Sequence, residues 1–248
     1  MVFISPADAR SYKQIKAQME KTYGVKIRFT ISKFPKYWRD HYTVKYKPVP
    51  RKARRQALLN LKKDLKKYRL STIRHFLQTI YIFRKLRFGK VYAAGTYKIH
   101  KNRRASLFLE DVQLGNKYGV FHHEFSSLIL ARYPSNLRKL WVKHNPKGFE
   151  YAMEGVDGPE VVRNGNADLK GSAKFWQQGF VVGYGTMDFE NDFNTFFETY
   201  MAKREKLNRL AKKYPRIKEK MKLVAQYFKM AEDHVEMKEL KKAANRSQ

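Results

Sequence analysis

Phe121-His122-His123-Glu124-Phe125-Ser126-Ser127 is the stretch that decides how the rest of this chain is read. In an H-E-x-x-H helix, two histidines four positions apart lie on one face and reach one metal ion. The glutamate beside the first is the general base on a metal-bound water. His123 and Glu124 stand where the first histidine and that base belong, but the position of the second histidine is occupied by Ser127. His122 precedes His123 by one residue and so points about 100° away around the helix. Both can reach one metal only if the start of the helix is distorted.

The chain around this stretch is long enough, at 248 residues, for a substantial core, and 43% apolar with 15% aromatic residues is a globular composition. No apolar run reaches the ~18 residues of a membrane span. Met1-Val2-Phe3-Ile4-Ser5-Pro6 has too short an apolar run, and no basic lead-in, to read as a signal peptide. Cysteine is absent, which excludes disulfides, thiolate metal sites and cysteine nucleophiles.

The net charge of +31 is unevenly spread. Residues 1–104 carry 29 Lys and Arg against four acids, whereas residues 105–248 carry 24 against 18. The basic character therefore belongs to the front of the chain and not to the segment with the histidines. Such a field attracts nucleic acid or another polyanion, with strong salt dependence; a soluble, self-repelling surface is the alternative.

Patterning predicts a helix capped by Ser5 and stopped by Gly24, then alternating strands at Val25–Thr30 and Tyr42–Tyr46. Ala57, Leu58, Leu61, Leu65 and Tyr68 recur at helical spacing between Arg51 and Phe76, with an interruption at Leu70-Ser71-Thr72. Strands follow at Thr79–Phe83, Val91–Tyr97 and Ala105–Leu109, with Lys98–Arg104 as a hairpin tip. The His-Glu helix runs from about Tyr118 to Arg132, and an irregular stretch occupies 148–171. Asp188 caps a helix over Phe189–Met201 that continues into 202–213, and a last helix covers Pro215–Ala244.

Three landmarks in this order carry a resemblance: Phe121–Leu128, Asn145-Pro146-Lys147-Gly148-Phe149-Glu150-Tyr151, and Gly179-Phe180-Val181-Val182-Gly183-Tyr184 running into Glu190-Asn191-Asp192-Phe193. Over roughly residues 55 to 230 the chain resembles the zinc-binding metallopeptidases, zincin or gluzincin-like, of Bacteroidetes-type bacteria. The resemblance implies an α+β zincin-like domain with a small mixed sheet, an active-site helix and a helical C-terminal half. Residues 51–248 would form that domain, with a basic helix and strands of 1–50 packed on it. It also implies a zinc cofactor, a peptide or protein substrate, and relatives that are often exported lipoproteins.

Carried over by position, His123 is the first zinc ligand and Glu124 the base. The third ligand of gluzincin-like relatives is a carboxylate in a Glu-Asp-Phe-Ala-Glu type of run. Here that run reads Asn191-Asp192-Phe193-Asn194-Thr195, leaving Asp192, with Glu190 one residue earlier as a substitute and His122 as a replacement histidine. Two of three ligands are thus altered, where catalytic zinc takes three and a water. If the protein hydrolyses peptide bonds, Glu124→Gln abolishes the activity and leaves metal content intact.

Each residue also has a plainer reading. The His-His-Glu helix can simply hydrogen-bond backbone and the Ser126 and Ser127 hydroxyls. Asp192 and Glu190 suit a helix N-terminus, where carboxylates are favoured by the helix dipole. Phe193, Phe196, Phe197 and Tyr200 have core spacing, and Trp141, Trp176 and Asn145–Tyr151 either line a groove or pack under the irregular stretch. The alternative function is non-catalytic binding of a polyanion by Arg51, Arg54, Arg55, Lys62, Lys66, Arg103 and Arg104. Tyr42, Tyr46, Tyr68, Tyr92 and Tyr97 would then be available for stacking. No recognition fingerprint accompanies them, so readout of sequence is not expected.

Overall fold

The computed structural model describes residues 11–115, 119–133, 136–154, 156 and 168–245, with the side chains of 242–244 left out. Ser5, Tyr118 and part of the 148–171 stretch lie outside the described residues. The first described helix, α1 (Tyr12–Tyr23), is capped by Ser11, whose side chain accepts from the Gln14 amide while Gln14 reaches back to the Ser11 amide. This reciprocal pair satisfies two amides that the helix itself leaves without partners. Gly24 ends α1 at φ 64°, a conformation that a side chain disfavours.

The sheet is organised by one long strand. β3 (Leu77–Phe88) has β1 (Lys26–Arg28) parallel and then β2 (Val44–Pro48) antiparallel along one edge. Its other edge takes β6 (Ala105–Glu110) in parallel and the short β4 (Val91–Ala93) antiparallel. β5 (Gly95–Ile99) then pairs antiparallel with β6, so the predicted single strand Val91–Tyr97 is broken at Ala94 where the chain steps from β3 to β6. β1 and β2 belong to this same sheet, so Lys26, Arg28, Lys45 and Lys47 are built into one layer with β3 to β6.

Helices cover the sheet and supply the C-terminal half: α2 (Lys36–His41), α3 (Arg54–Leu65), α4 (Leu70–Phe76), α5 (Val120–Arg132), α6 (Leu137–Val142), α7 (Ala173–Gln178), α8 (Phe189–Ala202), α9 (Arg204–Lys213) and α10 (Pro215–Ala244). The architecture is α+β, with a six-stranded mixed sheet and a helical C-terminal half. α3 buries Ala57, Leu58, Leu61 and Leu65, the positions its spacing marked. The helix expected to run on from 189 into 202–213 breaks instead at Lys203, whose backbone leaves the helical region at φ −139°.

Two apolar clusters form the core among the described residues. The larger joins α1, α3 and α4 to α5, α8 and α10. A smaller one, Trp38, Phe83, Leu86, Phe88 and Phe108, lies where β2, β3 and β6 meet α2. It absorbs two of the tyrosines proposed for stacking: Tyr42 packs edge-on against Phe88, and Tyr46 lies against Phe34 and Phe83.

Candidate functional site

α5 is buried on nearly every side, and its two histidines part company as the 100° between them requires. His122 is fully buried. The Tyr68 hydroxyl lies 2.7 Å from its Nδ1, and Nε2 turns to Asp64 Oδ1 at 3.4 Å. Asp64 in turn accepts from the Gly115 amide at 2.8 Å. Burial is the largest influence on His122 and lowers its pKa, partly offset by Asp64, so the ring is neutral, bonded to Tyr68 and lying beside Asp64 of α3. It cannot serve as a second ligand beside His123, and Tyr68 is a core residue here, not a stacking platform.

His123 faces α8. Its Nδ1 makes a 2.9 Å ion pair with Glu198 Oε2, and Tyr184 stacks on the ring at 6.1 Å. Burial alone would push this imidazole down. The Glu198 hydrogen bond and charge, with Glu124 and Glu190 nearby, raise it instead to about 9, so His123 is a cation at neutral pH. Glu124 is buried under the start of β5. A Cβ added to Gly95 would stand 2.6 Å from its Oε1, so only glycine lets the helix approach the strand there. Burial raises the Glu124 carboxyl to about 7, with His123 pulling it down and Glu190 and Glu198 pushing it up.

Ser127, in the place of the second histidine, is held by α8. Its hydroxyl accepts from Asn194 Nδ2 at 2.8 Å, while the Ser126 hydroxyl donates to Asn194 Oδ1 at 2.6 Å. Glu190, Asn194 and Glu198, four apart, form one polar stripe facing α5. Glu190 is exposed at the first turn of α8, where Tyr97 donates to it at 3.3 Å. Asp188 caps that turn by accepting from the Asn191 amide at 2.6 Å.

Asp192 sits on the opposite side of α8 from this stripe. Its Oδ2 receives Lys220 at 2.7 Å, Trp141 Nε1 at 2.8 Å and Tyr151 at 2.9 Å, with Asp192 and Lys220 fully buried. The Lys220 ammonium also lies 4.2 Å from the centre of the Phe180 ring. The expected carboxylate ligand is therefore committed to a buried ion pair. Trp141, with Phe193 and Phe196 against it, is core and not groove.

A catalytic zinc of the expected kind does not fit these residues. One histidine of the pair is replaced by a serine already bonded to asparagine, the alternative histidine faces away, and Asp192 is held by lysine. Among the described residues no group of three His, Asp or Glu is placed to hold a metal ion. Glu198 and Asn194, to which the sequence pattern assigned no role, are the α8 residues that meet His123 and Ser127. The four-residue spacing of polar residues at 190, 194 and 198, which places them on one face of α8, is the signal that marks them.

The protonation states predict a pH effect. Glu124 is raised above its ordinary value, so its contribution to stability is fully present below about pH 4.5 and lost as pH rises through about 7. Glu124→Gln, which fixes a neutral group, should be more stable than wild type by about 1–2 kcal/mol at pH 8 and no more stable at pH 4. Denaturant titrations at the two pH values measure this. An equal effect at both would contradict the buried, charge-penalised carboxylate.

No known protein family matches the chain by sequence, and no curated protein matches it. Among solved structures it is similar to one described as a "putative zinc-binding metallo-peptidase" from Bacteroides caccae, with a TM-score of 0.53 and 17% identity. The match covers 93% of this chain and 88% of that one. At that identity the likeness is one of fold.

Proposed function

We propose that the protein is a non-hydrolytic relative of zinc metallopeptidases that binds a polypeptide segment without a catalytic metal. The observation that carries this reading is the Ser127–Asn194 hydrogen bond at the position of the second zinc ligand, beside the His123–Glu198 ion pair. A site that had only lost its metal would leave these two positions without protein partners; here Ser127 and His123 each have one on α8. Whole-chain likeness to a structure described as a metallo-peptidase supports a polypeptide as the ligand class. Glu190, Tyr97 and Tyr184, between β5, α5 and α8, supply the polar and aromatic groups that would hold it.

The test is an unfolded, fluorescently labelled protein substrate offered with and without added zinc. The substrate should bind, remain intact in both conditions, and bind more weakly to Glu190→Lys. Cleavage that disappears with chelator or in Glu124→Gln would overturn the reading.

A second reading, binding of a polyanion by the basic face, is favoured by the exposure of Arg51, Lys66 and Arg103. The face is smaller than the sequence suggests. Arg54 donates to the Val49 carbonyl at 3.2 Å and lies over the Phe29 ring, and Arg104 donates to the Leu77 and Gly24 carbonyls. Those two arginines hold the fold. If nucleic acid binds, neutralising Arg51, Lys62 and Lys66 together should lower the slope of log K against log salt by about 2–3 on duplex DNA. An unchanged slope would place any binding elsewhere.

A further inference from the structure

At the end of α5 away from Glu124, a cavity of about 490 Å³ opens between that helix and the β5–β6 hairpin. Its lining divides sharply. Phe76, Leu128 and Ala105 make an apolar floor, Ile99 and Ala131 make an exposed apolar lip, and Arg103 and Arg132 stand at the rim.

Arg132 is held in place. Its guanidinium lies 5.6 Å from the centre of the Phe76 ring and donates to the Arg103 carbonyl. Arg103 adopts φ 63°, a left-handed conformation uncommon outside glycine, at the hairpin tip closed by its amide to the His100 carbonyl at 2.9 Å. That geometry turns its carbonyl to Arg132 and leaves its own side chain exposed. Among the described residues neither guanidinium has a carboxylate within ion-pair distance, and Lys98 and Lys101 on the same hairpin add charge of the same sign. Burial is the largest influence lowering the Arg132 pKa, and the Arg103 charge lowers it further.

The Arg103 charge acts on Arg132 at the mouth of this cavity, and an anion bound there would offset that repulsion. An arginine already fixed by ring and carbonyl has N–H donors to spare for a two-pronged grip on a carboxylate. A cavity of this size is in the range of small-molecule sites. We propose that this cavity binds an aliphatic carboxylate, a medium-chain fatty acid whose chain lies on Phe76, Leu128 and Ile99 and whose carboxylate is gripped by Arg103 and Arg132. This site shares no residue with the surroundings of His123 and Glu124 and does not depend on what they do.

Calorimetric titration of the full chain with decanoate below its micellar concentration tests the proposal. Saturable binding of one decanoate per chain is expected, with decanol and decylamine weaker by at least about tenfold because they offer no anion to the arginines. Arg103→Gln should weaken decanoate to a similar degree. Ala131→Phe, which fills the cavity from an exposed position and leaves both arginines, should abolish binding while the thermal melt stays close to wild type. The proposal is overturned by absent or non-saturable binding, by decanol binding as well as decanoate, or by undiminished binding to a folded Ala131→Phe variant. A short peptide ending in leucine that competes with decanoate and binds more tightly would also overturn it, in favour of polypeptide C-termini.

Discussion

Placing histidine at 127 and glutamate at 194 in one chain should turn this protein into a zinc binder. Ser127 and Asn194 already touch across α5 and α8, with Nδ2 to Oγ at 2.8 Å, and Ser127 lies one helical turn from His123. The double variant Ser127→His/Asn194→Glu therefore offers two histidines and a carboxylate on facing surfaces, the ligand number of a catalytic zinc site. The Glu198 bond to His123 Nδ1 would then orient a metal-binding ring through its other nitrogen, as carboxylates commonly do. Zinc affinity should rise by at least about a hundredfold over wild type, since losing even an outer-shell partner changes metal affinity by ~10–100-fold. Competition with a chelating dye measures it. No gain in a folded double variant would mean that Ser127 and Asn194 do not mark the place of a former metal.

The second large effect is expected at Lys220. An ammonium buried among Phe180, Trp141 and Phe196 has Asp192 as its charge partner, so the pair fastens α10 to α8. Removing one member leaves the other charged and buried, which costs about 3–5 kcal/mol. Lys220→Met should lower stability by that amount, and Tm by roughly 10 °C. The deficit should shrink as pH falls, because protonation relieves the stranded Asp192. Burial already raises the Asp192 carboxyl, and Lys220 is the main influence holding it down. The double variant Lys220→Met/Asp192→Asn should recover much of the loss, with Trp141 and Tyr151 still within reach of the amide. Equal losses in the single and double variants would mean that packing, and not charge, governs this site.

Much of the architecture could be read in the sequence because it is written in spacing. The apolar positions of α3, the cap at Asp188 and the hairpin at 98–104 all follow from periodicity and turn chemistry. What could not be read depends on which side of a helix meets which neighbour. Asp192 looks like a metal ligand until the helical rotation places it opposite Asn194, against a lysine 28 residues later in the chain. Arg54 and Arg104 look like surface charge until backbone carbonyls and aromatic rings from distant segments are found around them. The serine at 127 announced an altered site, but only the fold supplies Asn194 as the residue that closes it.

Zinc content is the most direct test of the central claim, measured by elemental mass spectrometry on protein purified without chelator or immobilised metal, then again after dialysis against micromolar zinc. The account predicts well under one zinc per chain in both samples. One zinc per chain that is lost in His123→Ala would contradict it, because the metal would then be held by the residues argued to be bonded to one another.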